Sequence, residues 1–146
     1  MNHTEISWMG YKRKDGRKGI RNRVLVIYTV KCAEHVARKI VDEVHHPEVE
    51  LLGFDGCTDN QYAVNMLISL IRHPNVGAVL TVGLGCEYVQ PEWLEKIALQ
   101  EEKISSWIRI QDEGGTVPSI KKGVAWVREA LKELENTPRV QMALQD

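Results

Sequence analysis

The chain has 146 residues, 43% hydrophobic and 27% charged, with a net charge of −1 at pH 7. That is the make-up of one ordinary globular domain, long enough to bury a core, and the net charge points to no particular partner. No apolar run is long enough to cross a membrane, and the N-terminus lacks the apolar core of a signal peptide. The expectation is a cytoplasmic protein whose three cysteines are free thiols.

In chain order, residues 1–23 read as an N-terminal basic arm. Its core, YKRKDGRKGIRNR at 11–23, carries seven basic residues and one acid, so it is +6 against −7 for the rest. Asp15-Gly16 is a turn signal, and an irregular arm lying over the domain is expected. Residues 24–136 form a single α/β domain. Val24–Val30 is a continuous β-branched run, as in a strand buried on both faces. Cys32–His46 is a helix with Val36, Ala37, Ile40, Val41 and Val44 on one face. Val49–Phe54 is a second strand. Asp59 or Asn60 caps a helix running to about Arg72. Val76–Leu84 is a third strand, and Pro91 opens a helix to about Lys103. Ile104–Ile110 is a fourth strand, and a helix starts at Pro118 or Ser119 and runs to about Asn136. Residues 137–146 are a loose C-terminal tail.

Strict alternation with short connections predicts a three-layer α/β fold: a parallel sheet of about four strands in Rossmann-like or flavodoxin-like order 2-1-3-4, with helices on both faces. Ligands of such sheets bind at the carboxyl ends of the strands. Cys32, Cys57 and Cys86 each follow one of three strands that this order makes neighbours. Converging thiols suit a soft metal or an iron–sulfur cluster, a substrate-contacting nucleophile, or simply packing where strands meet helices. Glu87, directly after Cys86, is placed for a general base or for a loop carboxylate. Gly83 and Gly85 lack dinucleotide-fingerprint spacing and instead let the backbone turn close to a ligand. Gln111-Asp112-Glu113-Gly114-Gly115-Thr116 ends the fourth strand, either contacting the same ligand or forming a turn capped by Thr116. The arginines of 11–23 suit carboxylate or phosphate clamping, nucleic acid, or simply a solvated charged face; their interleaving with Gly16, Gly19 and Asn22 suggests shaped backbone, and against nucleic acid the whole chain is not basic and Tyr11 is the one aromatic of 11–23.

Several motifs are collinear. Gly10–Asn22, GYKRKDGRKGIRN, resembles the GxxRxDGRxGxRN signature of the altronate dehydratase/galactarate dehydratase family. Thr29-Val30-Lys31-Cys32, Gly56-Cys57, His73-Pro74-Asn75, Gly83-Leu84-Gly85-Cys86-Glu87 and Gln111 with Gly114-Gly115-Thr116 resemble that family's TVxC, GC, HPN, GLGCE and QxxGGT. The resemblance covers about residues 9–125. It implies a hydro-lyase that removes water from an aldonate or aldarate such as altronate or galactarate. It also implies iron (Fe2+ or an iron–sulfur cluster) or another divalent metal. Arg13, Arg17, Arg21 and Asn22 would hold the substrate, Cys32, Cys57 and Cys86 would be the metal-side residues, and Glu87 and Gln111 would be the catalytic-site residues. The family's members are longer, with a β-rich N-terminal domain and a large C-terminal domain, so this is the middle domain alone. Relatives carry a histidine shortly before GC, where this chain has Leu52-Gly53-Phe54-Asp55. The alternative is a non-catalytic module that binds an acidic sugar or dimerises. The partners implied are the missing domains or subunits and a second copy, with no membrane.

Overall fold

The computed structural model describes residues 6–145. Four parallel strands, β3 (Arg23–Tyr28), β4 (Val49–Gly53), β5 (Val76–Gly83) and β6 (Ile104–Arg109), form a sheet in the order β4-β3-β5-β6. Counted as the four crossover strands in chain order, this is the expected 2-1-3-4. Three further strands, β1 (Ser7–Lys12), β2 (Lys18–Gly19) and β7 (Val140–Ala143), make a small antiparallel sheet. The helices are α1 (Lys31–Val44), α2 (Gln61–Ile71), α3 (Pro91–Gln100) and α4 (Thr116–Glu135). None is long and apolar enough to cross a membrane.

The sheet divides two cores by simple alternation. Val24, Val26, Leu80 and Val82 pack under α1 and α4 through Val36, Ile40, Val124 and Val127. Leu25, Ile27 and Val79 face α2 and α3 through Leu67, Ile71 and Leu94. All eight residues of β5 are buried, because that strand has neighbours on both edges and helices on both faces. Asn60 caps α2, its Oδ1 accepting from the Ala63 amide at 3.1 Å.

The arm and tail are corrections to the sequence reading. The arm is not irregular: β1 and β2 form a hairpin around Asp15-Gly16, with Tyr11 opposite Gly19. Nor is the tail loose, since β7 pairs with β1, Trp8 opposite Met142. Each pairing joins segments that are short and weakly patterned alone. The β1–β7 pair also spans nearly the whole chain, so only the tertiary fold reveals it. The last helix begins at Thr116, two or three residues early, with Gly115 in the cap position instead of a threonine cap.

The arm's cations lie at the amino-terminal edge of the main sheet. Arg13 Nε donates to the Pro74 carbonyl at 2.6 Å, and its Nη2 to Asn22 Oδ1 at 2.9 Å. Arg17 Nη2 reaches the Arg72 carbonyl at 2.7 Å and Lys14 Nζ the Gln100 carbonyl at 2.7 Å. Buried Lys103 donates to the carbonyls of Ile71 and His73. These cations meet carbonyls at and just beyond the C-terminal ends of α2 and α3, the negative pole of each helix. Asn75 Oδ1 accepts from the amides of Ile20 and Arg21 at 2.9 and 3.3 Å, tying the arm down. Replacing Asn75 with alanine is expected to cost about 1–2 kcal/mol in urea denaturation. An unchanged midpoint would show that the arm is held without it.

Candidate functional site

The register sets the site. Tyr28 is level with Gly53 and with Val82, and Gly83 with Arg109, so all four strands end at one edge. The loops that follow carry the candidate residues. Cys32 lies in the first turn of α1, Cys57 in the loop before α2, and Cys86 in the turn after β5. All three are free and exposed. The Tyr88 amide donates to the Cys57 carbonyl at 3.1 Å, which fastens two of these loops together.

Glu87 turns inward and is 2% exposed. Its Oε1 accepts from Thr29 Oγ1 at 2.6 Å and the Leu84 amide at 2.9 Å, and its Oε2 from the Gly85 amide at 2.7 Å. Burial pushes this carboxyl up. The hydrogen bonds from Thr29 and from the amides of Gly85, Glu87 itself and Leu84 outweigh it and hold the group below its ordinary range. Such a carboxylate shapes a turn: it folds Leu84 and Gly85 around itself and leaves Cys86 pointing outward from the loop as an exposed residue. The glycines follow from this. A Cβ on Gly83 would collide with Glu87 Oε1, and one on Gly85 (φ +146°) with Gln111 Oε1. Gln111 therefore lies directly against the turn, itself exposed, with its backbone N–H donating to the Leu84 carbonyl at 3.1 Å.

Two residues to which the sequence reading gave no role of their own complete this edge. Thr29 is fully buried and bridges β3 to the Glu87 turn. A threonine closing an otherwise apolar strand was the available signal. Arg109 bonds Gln90 Oε1 at 3.0 Å, Asp112 Oδ2 at 2.9 Å and the Glu92 carboxylate, and its guanidinium lies 5.2 Å from the Trp107 ring centre. It braces the loop after β5 against the loop after β6. No local pattern marks an arginine at a strand end for that task.

The structure thus brings together Cys32, Cys57, Cys86, Glu87 and Gln111. It does not bring the arm to them. Arg13, Arg17, Arg21 and Asn22 lie at the opposite edge, the length of a six-residue strand away, roughly 20 Å at 3.3 Å per residue. Arg13 and Arg17 also spend their donors on backbone carbonyls and neighbouring side chains. Nor do the thiols form a ligand set in this chain: among the described residues no three His, Cys, Asp or Glu side chains group closely enough to hold a metal ion. Exposure predicts reactivity instead. All three thiols should titrate with Ellman's reagent in the native state, and fewer than three would contradict the loop positions.

A doubly wound parallel domain whose glycine-rich loops gather polar groups and thiols at its carboxyl edge belongs to the α/β class that binds ligands there. The comparisons narrow this. The family model "D-galactarate dehydratase/Altronate hydrolase, second domain" matches residues 10–135, and the chain belongs to that family as this second domain. The chain is 26% identical to an altronate dehydratase of Bacillus subtilis over 96% of its own length and 30% of the relative's. It is 36% identical to an altronate dehydratase of Escherichia coli over 53% of its length and 18% of the relative's. It is 27% identical to the (2R)-sulfolactate sulfo-lyase subunit beta of Chromohalobacter salexigens, over 90% and 35% respectively. The chain therefore spans less than a third of the altronate dehydratases it resembles. No solved structure matches it.

Proposed function

We propose that this domain supplies one face of the active site of a sugar-acid hydro-lyase, acting on an aldonate or aldarate such as altronate or galactarate, and that other segments complete the site. The observation that carries this is the Gly83–Glu87 turn, moulded around a buried carboxylate at the ligand-binding edge of an α/β sheet, in a family described as galactarate dehydratase and altronate hydrolase. The reaction removes a proton beside the carboxylate and expels the β-hydroxyl as water, leaving an enol that becomes a 2-keto-3-deoxy acid. In this reading Cys86 and Gln111 face the sugar, and Glu87 and Thr29 act through the turn they hold. Glu87 is thus a positioning residue, because its oxygens are occupied by Thr29 and by the amides of its own turn. Iron or another divalent metal enters this reading only as a group shared with segments outside the chain, with Cys32, Cys57 and Cys86 as the domain's candidate ligands.

The test is product formation from D-altronate and D-galactarate by a relative deprived of its own second domain and supplied with this one. Restored turnover that falls at least about a hundredfold with Cys86→Ser or Gln111→Ala is expected. Restored turnover indifferent to both substitutions would contradict the proposal. A second reading, a non-catalytic module that binds an acidic sugar or dimerises, is favoured by one observation, that the Glu87 carboxylate is already occupied by Thr29 and the amides of Leu84 and Gly85.

A further inference from the structure

The arm's separation from the cysteine edge leaves a question of what its outward residues do, and one cavity bears on it. A cleft of about 170 Å³ lies at the amino-terminal edge of the sheet, lined among others by Tyr11, Arg21, Asn22, His46, Glu135 and Arg139. Two of its side chains hold donors with no partner among the described residues. Asn22 is 8% exposed, its Oδ1 accepts from Arg13, and its amide nitrogen is buried with no partner. Arg139 lies over the Tyr11 ring, 5.1 Å from its centre, and gives its Nε to the Tyr11 hydroxyl at 3.1 Å. Its two terminal nitrogens carry no hydrogen bond or ion pair among the described residues.

We propose that this cleft is a second ligand site, separate from the cysteine edge, for a small carboxylate that also carries hydroxyl groups. The fork of Arg139, already oriented by Tyr11, matches a carboxylate in two-point geometry. The Asn22 amide supplies a further donor for a ligand oxygen. Glu48, with a loose 4.0 Å pair to Arg21, and Glu135 line the same cleft and accept hydroxyl protons. Phosphate has no hydroxylated chain to reach Glu48 and Glu135 from the Arg139 fork, and an uncharged polyol leaves that fork unmatched. Only a hydroxylated acid answers both halves of the lining. The choice of a sugar acid as probe rests on the family reading above; the site itself does not.

The test is calorimetric titration of the intact chain with D-galactarate, galactitol and inorganic phosphate. Binding of galactarate is expected, with the other two at least about tenfold weaker. Arg139→Leu should weaken galactarate by about tenfold or more, Glu135→Gln should weaken it less, and Lys121→Ala, exposed on α4 outside the cleft, should leave it unchanged. Both Arg139 and Glu135 are exposed, so their replacement leaves the core intact. No binding at about 10 mM, or phosphate bound as tightly as galactarate, would overturn the proposal. Galactarate binding that survives Arg139→Leu but is lost with Cys86→Ser would overturn it too, while supporting the cysteine-edge function.

Discussion

Replacing Glu87 with glutamine is expected to lower the folding stability by about 3 kcal/mol and to loosen the turn that presents Cys86. The carboxylate is an acceptor on both oxygens, for the Thr29 hydroxyl and the amides of Leu84 and Gly85. An amide nitrogen in place of either oxygen turns a donor toward a backbone N–H, leaving a buried donor unsatisfied. The loss exceeds the gain from no longer burying a charge, for the same reason that the hydrogen bonds outweigh burial in setting the direction of its pKa. The pH dependence carries a sign. The folded state holds Glu87 below its ordinary value of 4.5, so the unfolded chain takes up the proton first. The stability it confers is full above that ordinary value and is lost as pH falls through the lower folded value. Urea denaturation across the acid range should show this loss in the wild type and not in Glu87→Gln. Equal acid sensitivity in the two proteins would assign the loss to other carboxylates.

The second large effect lies at the opposite edge. Burial, with the nearby charge of Arg13 adding to it, lowers Lys103 from 10.5 to about 8. The residue is 6% exposed under the arm, with its ammonium against the carbonyls of Ile71 and His73. Between these two values the unfolded chain binds the proton more firmly than the folded one, so stability rises with pH across that window. The full shift corresponds to about 3 kcal/mol. Lys103→Met should remove that rise whatever it does to stability at neutral pH. A wild-type protein whose stability relative to Lys103→Met is flat from about pH 8 to 10.5 would show that the lysine titrates normally.

The sequence spoke most clearly where one physical rule acted alone. Val24–Val30 and Val76–Leu84 are uninterrupted β-branched and apolar runs, and both became buried parallel strands. Asn60 and Pro91 announced their helices by cap chemistry, and alternation with short connections gave the parallel sheet with helices on both faces, for which 2-1-3-4 is the default order. What stayed hidden depends on contacts between distant segments. Val140–Ala143 becomes a strand only because Ser7–Lys12 lies beside it. The arm looked like a ligand clamp because its arginines are interleaved with Gly16, Gly19 and Asn22. Those same features instead seat Arg13 and Arg17 on the carbonyls of Pro74 and Arg72. A motif shows that arginines are wanted, not which edge of a sheet they reach. Glu87 is the same lesson at the other edge: its place after Cys86 was legible, its inward rotation onto Thr29 was not.

The central claim is that the cysteine edge faces the sugar acid. Site-resolved alkylation measures it most directly: the rates at Cys32, Cys57 and Cys86 are followed by mass spectrometry with and without D-altronate or D-galactarate at about 10 mM. The account predicts that Cys86 is slowed most, that the protection persists in Arg139→Leu, and that it is lost in Gln111→Ala. Rates at all three cysteines that are the same with and without the sugar acids would contradict it.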